Sequence, residues 1–269
     1  MACHWRLWDF CYKGNLEGVK RELAKGADVN GKKSFSLIEH EDIPCLTAAV
    51  WSKNEDVVSC LLKEPGIYVD ATDCHDYTAL HHACFRLSRH GAGTGQREIV
   101  KKLLASGANV NCKSEFGYSP LRYAVRYNYT EVVSLLMGVP GLDIETKDSD
   151  NRGPLHFACE NGNVDIARML LMCGANVNSR GPSGKTPLML AFQTEMEDLI
   201  FLLLEDPAID MNAKDFEGKT ALHCALEVVC EDISVDEAYR DCIQFLAEKA
   251  HVDLDAKDNR GRSIKQIAW

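Results

Sequence analysis

A six-residue pattern recurs along this chain, with Pro or Ala in second place, an apolar run after it and a small residue at its end. It is clearest at Thr78-Ala79-Leu80-His81-His82-Ala83, Gly153-Pro154-Leu155-His156-Phe157-Ala158, Thr186-Pro187-Leu188-Met189-Leu190-Ala191 and Thr220-Ala221-Leu222-His223-Cys224-Ala225. The same register finds copies at Ile43-Pro44-Cys45-Leu46-Thr47-Ala48 and Ser119-Pro120-Leu121-Arg122-Tyr123-Ala124, and a broken-off one at Ser263-Ile264-Lys265-Gln266-Ile267-Ala268. Where nothing is inserted the copies stand about 33 to 35 residues apart, a period that belongs to stacked supersecondary units.

The chemistry of the pattern says what each unit is. Thr or Ser followed by Pro is an N-cap ahead of a residue whose fixed φ suits the first helical position. Paired small residues such as Ala48-Ala49, Ala83-Cys84 and Ala158-Cys159 leave a face narrow enough for helices to approach closely. Amphipathic stretches such as Glu131-Val132-Val133-Ser134-Leu135-Leu136 and Asp165-Ile166-Ala167-Arg168-Met169-Leu170-Leu171 follow, apolar at helical spacing. A second signature then precedes the next hexapeptide: Gly26-Ala27-Asp28-Val29-Asn30, Gly107-Ala108-Asn109-Val110-Asn111 and Gly174-Ala175-Asn176-Val177-Asn178. Each unit reads as helix, turn, helix and a polar hairpin, and one such unit cannot bury its apolar face alone.

The hexapeptide and its period resemble the ankyrin repeat, and the resemblance runs from about Trp5 to Trp269. It implies an all-α fold, an ankyrin-repeat solenoid of helix-turn-helix units joined by β-hairpin fingers. A single domain over 1–269 is expected, with an N-terminal cap repeat at 1–30, repeats at 31–70, 71–111, 112–145, 146–178, 179–212 and 213–255, and a truncated repeat at 256–269. Arg21 and Glu22 stand where other units carry leucines, which suits a cap. The truncated last unit points to a larger parent, such as a multidomain adaptor, a ubiquitin-ligase substrate receptor or a channel.

Composition narrows the function. A net charge of -10 argues against nucleic acid as the main ligand, since a phosphate backbone calls for a basic face. No apolar run approaches the roughly 18 residues that span a bilayer, and the first residues lack a signal-peptide core. Twelve cysteines contain no Cys-x-x-Cys pair, and Cys11, Cys45, Cys84, Cys159 and Cys224 fall on packing positions of the register, where cysteine acts as a small hydrophobe. A reducing cytoplasmic or nuclear setting follows. No cofactor or metal is expected.

His81, His156 and His223 repeat at one position, which the resemblance assigns to support of the neighbouring hairpin. A nucleophile at Cys84 or Cys159 would also need an orienting group and an oxyanion pocket, which no motif supplies. The loop Gly91-Ala92-Gly93-Thr94-Gly95 has neither a preceding strand nor a following Lys-Ser or Lys-Thr, and reads as a flexible insertion rather than a phosphate cradle. The chain is therefore expected to be a non-catalytic protein-interaction scaffold, and monomeric.

In the ankyrin family the concave face is built from hairpin tips and the exposed end of the first helix. Those positions are Val50 and Trp51 in the second unit, His75, Tyr77, Phe85 and Arg86 in the third, and Glu115, Phe116, Tyr118, Arg126 and Tyr127 in the fourth. Aromatic and arginine side chains dominate interface energetics, so Trp51, His75, Tyr77, Phe85, Arg86, Phe116, Tyr118, Arg126 and Tyr127 form the expected partner-binding strip. Its ligand would be an extended or helical protein segment of acidic and aromatic character. Units five to seven offer polar groups instead: Ser149, Asp150, Arg152, Glu160 and Asn161, then Ser183, Lys185, Gln193 and Thr194, then Glu217, Lys219 and Glu227.

Two insertions depart from the register. One, within 87–97, carries Arg89, His90 and Arg97 beside Arg86 without an acid; the other is acidic, with Glu231, Asp232, Asp236 and Glu237. Finally, Leu103 to Asn111, Leu170 to Asn178 and Leu204 to Asn212 resemble sites of the asparaginyl hydroxylase that modifies ankyrin repeats. Asn111, Asn178 and Asn212 are the candidate positions.

Overall fold

The structure, a computed structural model, describes residues 4–33, 42–85, 94–231, 237–249 and 251–267. The chain divides into two compact bodies, Met1–Asp143 and Ile144–Trp269. The first body holds α1 (His4–Tyr12), α2 (Leu16–Ala24), α3 (Cys45–Ser52), α4 (Glu55–Leu62), α5 (Ala79–Phe85), α6 (Thr94–Ala105), α7 (Pro120–Arg126) and α8 (Thr130–Met137). The second holds α9 (Pro154–Glu160), α10 (Val164–Met172), α11 (Pro187–Gln193), α12 (Glu197–Leu204), α13 (Ala221–Glu231), α14 (Glu237–Ala247) and the short α15 (Ile264–Ile267).

Within each body the helices form two rows. In the first, α1, α3, α5 and α7 pack in succession, as do α2, α4, α6 and α8 behind them; in the second, α9, α11, α13 and α15 make one row and α10, α12 and α14 the other. Proline and a hydroxyl start α7 and α11 as the hexapeptide predicts. Ser119 Oγ accepts the N–H of Arg122 at 3.2 Å and Thr186 Oγ1 that of Met189 at 3.4 Å, each ahead of a proline in the first turn. Asn15 and Asn54 do the same for α2 and α4. The back helices bury a repeated apolar triplet: Val57, Val58 and Leu61, then Ile99, Val100 and Leu103, Val132, Val133 and Leu136, Ile166, Ala167 and Leu170, Leu199, Ile200 and Leu203, none with accessible surface. Burying each large member contributes about 1.5–3 kcal/mol, and this is what drives stacking.

The fingers between repeats are turns more than strands. The antiparallel pair β1 (Lys32–Lys33) and β2 (Ile43–Pro44) is the longest ladder, and single bridges join Thr72 to Thr78 and Lys257 to Ser263. A buried aspartate turns four of them. Asp73 Oδ1 takes the N–H groups of His75 and Tyr77, Asp148 those of Asp150 and Arg152, Asp215 those of Glu217 and Lys219, and Asp258 those of Arg260 and Arg262, all at 2.8–3.0 Å. These are aspartate-capped turns, and each closes through a residue of positive φ: Asp76, Asn151, Gly218 and Gly261.

Two sequence expectations are corrected. Val50 is buried rather than exposed, because α3 lies between α1 and α5 with α4 behind, and everything from Cys45 to Val50 is covered. Thr94 to Arg97 belong to the first turn of α6 rather than to a loop, held by Gln96, whose Nε2 donates to the Ala83 carbonyl at 2.7 Å. The acid-free segment does find an acid elsewhere, the Arg97 Nε standing 3.9 Å from Glu131. Arg86, Arg89, His90, Gly91, Ala92 and Gly93, and likewise Asp232 and Asp236, lie outside the described residues.

The recurrent asparagines clamp one repeat to the next. Asn111 donates to the Gly141 carbonyl and accepts from Asp143 N–H at 2.7 and 2.8 Å; Asn178 bonds Ala208 and Asp210 at 2.6 and 2.7 Å, and Asn212 bonds His251 and Asp253 at 2.6 and 2.8 Å. Asn30 makes the same clamp to Gly66 and Tyr68. Two net hydrogen bonds of about 0.5–1.5 kcal/mol each are at stake. Asn178→Ala should lower stability by about 1–2 kcal/mol in urea unfolding, and Asn178→Asp by at least as much, because a carboxylate oxygen would face the Ala208 carbonyl to which the amide now donates.

Candidate interaction site

The hexapeptide histidines are structural, and their hydrogen bonds say why. His81, His156 and His223 have no accessible surface. Nδ1 of each accepts a backbone N–H at the start of its own helix, from Thr78 at 3.1 Å and from Gly153 and Thr220 at 3.2 Å. Nε2 therefore carries the proton and donates to the next finger, to the carbonyls of Tyr118, Ser179 and Arg262 at 2.8, 3.1 and 3.3 Å. Burial pushes His81 and His156 down to about 4, and a second proton would displace the bond at Nδ1. The cysteines expected to pack, Cys11, Cys45, Cys84, Cys159 and Cys224, are buried. Burial drives the Cys112 thiol up to about 11, which removes it as a nucleophile despite a 3.6 Å approach to His81.

A connected set of rings crosses the front row of the first body. It starts at Trp8 and Tyr12, stacked at 5.2 Å, and continues through Trp51, edge-on to both Tyr12 and His82. Phe85 follows, 5.7 Å from His82 and 5.4 Å from Tyr123, and Tyr123, Tyr127 and Tyr129 then stack at 6.3 and 5.9 Å. Two hydroxyls lock its middle, since Tyr77 and Tyr123 meet oxygen to oxygen at 2.9 Å. Beneath them the buried His82 Nε2 and Asp73 Oδ2 pair at 2.8 Å, and this bond helps hold the Asp73 carboxyl low against the opposing effect of burial.

The expected strip is thus placed as follows. Trp51, Tyr77, Phe85 and Tyr118 are half-buried, the last against the Arg122 guanidinium, 3.4 Å from the ring centre. His75, Phe116, Arg126 and Tyr127 are exposed, with Phe116 at 47% and Tyr127 at 42%. His75 Nδ1 meets the Glu115 carboxylate of the next finger, and Glu115 N–H donates to the His75 carbonyl at 3.1 Å, so the two fingers are tied. Trp8, Tyr12, Tyr129, His82 and Tyr123 belong to the set without having been expected. Tyr12 stands one residue after Cys11 as Phe85 does after Cys84, so the register carried that signal; His82 and Tyr123 occupy the variable fifth place of the hexapeptide.

In the second body the equivalent polar groups pair with one another. Arg152 contacts Asp148, Asp150 and Glu160, Lys185 donates to Gln193, and Lys219 bridges Glu217 and Glu227 at 2.8 Å while Glu227 reaches Arg262. Its most exposed finger ring is Phe216, at 72%.

Comparison with known proteins accords with this geometry. The family model for ankyrin repeats matches residues 89–181 and 173–258, more than half of the chain. This chain belongs to the ankyrin repeat family. Such a domain is a protein-interaction scaffold rather than a catalyst. Among solved structures, the ankyrin repeat domain of Bcl-3, of the IkappaB protein family, superposes with a TM-score of 0.70 at 26% identity, over 89% of this chain and 97% of that one. The NF-kappa-B inhibitor cactus of Drosophila yakuba is 32% identical over 58% of this chain and 30% of its own length. The human transient receptor potential cation channel subfamily A member 1 is 29% identical over 76% of this chain and 17% of its own. The ankyrin chain therefore spans less than a third of these curated relatives. No helix among its described residues is long and apolar enough to cross a membrane.

The ankyrin histidines imply a pH response. An imidazole held near 4 when folded and near 6.5 when unfolded stabilises fully above pH 6.5, and the contribution is lost as pH falls towards 4, because the unfolded chain binds the proton first. Between pH 6.5 and pH 5, above most carboxylate titration, stability should drop by roughly 1.5 kcal/mol for each of His81 and His156. Thermal unfolding of a His81→Gln, His156→Gln double variant should show a flatter dependence in that window.

Proposed function

We propose that this ankyrin domain holds a partner protein segment against the ring-lined front row of the first body, at the second to fourth repeats. The observation that carries the reading is the set of rings itself. Tyr127 and Phe116 are exposed at its edge while Tyr77, Tyr123 and Tyr118 are fixed beneath them by hydroxyl and guanidinium contacts. A partner thus meets large rings that have already lost most of their side-chain freedom, which lowers the entropic cost of binding. Arg126 is the exposed cation beside them, which suits the acidic and aromatic segment expected from the sequence. In the second body the corresponding groups already satisfy one another, and a partner would have to break ion pairs to use them.

The chain acts as a monomeric scaffold in a reducing compartment, cytoplasmic or nuclear, a setting favoured by buried free thiols such as Cys11, Cys84 and Cys159. A role as the recognition portion of a larger adaptor, ubiquitin-ligase receptor or channel is supported by relatives of which it spans under a third. Hydroxylation of Asn111, Asn178 and Asn212 requires the finger to open first, because each amide is engaged at both its oxygen and its nitrogen.

A ligand chosen by partner selection on the purified chain tests the site. Replacing Trp51, Tyr118 and Arg126 together by Ala should abolish its capture with the helical spectrum intact. Phe116→Ala and Tyr127→Ala, which remove exposed rings, should each weaken binding about tenfold or more. Unchanged affinity in both single variants would remove the assignment.

A further inference from the structure

The first helix pair departs from all the others at two register positions. Counted from the capping asparagines Asn15 and Asn54, the third and seventh residues are Val57 and Leu61 in α4 but Gly18 and Glu22 in α2. Later back helices carry Ile99 and Leu103, Val132 and Leu136, Ile166 and Leu170, Leu199 and Leu203 there, all fully buried. Glycine inside a helix costs about 1 kcal/mol relative to alanine, so its presence calls for a reason. A Cβ on Gly18 would lie 2.4 Å from Phe10 Cδ1. The glycine lets the Phe10 ring lie directly on the α2 backbone. Glu22, buried at 3% exposure, receives Lys25 Nζ at 2.8 Å. Between α1 and α2 this leaves a recess of about 420 Å³ lined by Trp5, Phe10, three cations (Arg6, Arg21 and Lys25) and two acids, Asp9 and Glu22, which Lys13 and Lys25 hold.

Charge pairing in this segment is incomplete. Residues 4–25 hold five Lys and Arg and three Asp and Glu, on a chain of net charge -10. Lys13 pairs with Asp9 at 2.7 Å, Lys20 with Glu17 at 3.1 Å and Lys25 with Glu22. The two cations left over are Arg6 and Arg21, and both line the recess. Arg6 lies over the Trp5 ring at 5.8 Å and has no ion pair among the described residues; Arg21 lies over Phe10 at 5.3 Å and reaches only 3.7 Å from the Glu22 oxygen that Lys25 already holds. A guanidinium placed over a ring keeps its in-plane N–H fork available to a carboxylate.

We propose that this recess binds an acidic peptide segment, with its carboxylates on Arg6 and Arg21 and an adjacent apolar side chain against Trp5 and Phe10. Another repeat is not its occupant, since an apolar packing face would strip water from Glu22 and from the Arg6 and Arg21 guanidiniums, of which Arg21 has only a long, shared contact with Glu22 and Arg6 no ion pair among the described residues. A nucleic-acid backbone is disfavoured because two cations on an acidic chain do not follow a row of phosphates. Two ring walls suit a peptide in which Asp or Glu adjoins Leu or Phe. The site is separate from the front-row rings at Phe116 and Tyr127.

The test is selection from a random-peptide display library on the whole chain, with counterselection on an Arg6→Gln, Arg21→Gln double variant. Both side chains are exposed, so the variant should keep the parent's circular dichroism. Winning peptides should pair Asp or Glu with Leu or Phe, lose at least tenfold in affinity for the double variant, lose as much when their Glu becomes Gln, and bind Tyr127→Ala unchanged. Gly18→Ala, which displaces Phe10 without altering charge, should also weaken them. Winners without acids, or acidic winners that hold the double variant equally well, overturn the proposal. So does the absence of any peptide that distinguishes the two proteins. Acidic peptides lost on Tyr127→Ala but kept by the double variant would instead belong to the front-row face.

Discussion

Each repeat of this protein leaves polar groups that only its neighbour can satisfy, and the fold depends on that. The hexapeptide imidazole shows it most directly. Nδ1 closes the start of its own helix, which commits the remaining ring proton at Nε2 to a carbonyl on the next finger. The asparagine clamp works in the same sense, with donor and acceptor both spent one repeat further along. Valine and leucine on the back helices supply most of the stacking energy, but apolar contact tolerates sliding. Directional bonds do not, and they set the offset between neighbours.

Identical scaffold positions carry different chemistry in the two bodies. In the first, finger and helix-end positions hold rings that touch one another from Trp8 to Tyr129; in the second they hold acids and bases that neutralise one another. Such rings remain available to a ligand at their edges, because stacking consumes one face and leaves the rim. An ion pair offers less, since a partner must first separate it. The first helix pair is a third case, where Gly18 and Glu22 replace the apolar pair and the charges do not balance.

Much of this was legible in the hexapeptide register. It located the starts of the front helices, identified the buried cysteines and histidines as structural, and pointed to Phe116 and Tyr127. Tyr12 was within its reach through the parallel between Cys11 and Cys84, whereas His82 and Tyr123 sit at a place the pattern leaves variable. Val50 looked exposed because it lies beside Trp51 near the helix end, yet α1 and α5 cover it. Thr94 to Arg97 looked like loop because glycine and threonine dominate locally, but Gln96 finds a carbonyl on α5 and extends the helix. The finger aspartates and clamp asparagines were visible as residues and silent as to role.

The sequence by itself determined the repeat, the starts of the front helices and the identity of the stacking face, because these follow from local capping and from periodicity within one unit. Only the tertiary structure decided which rings stay exposed, which asparagines clamp and which cations, Arg6 and Arg21, lack a close acid of their own. Those outcomes depend on which atoms pack together once the helices fold back on one another, often from residues some 30 to 40 positions apart. A pattern read along a single unit contains no distance to them.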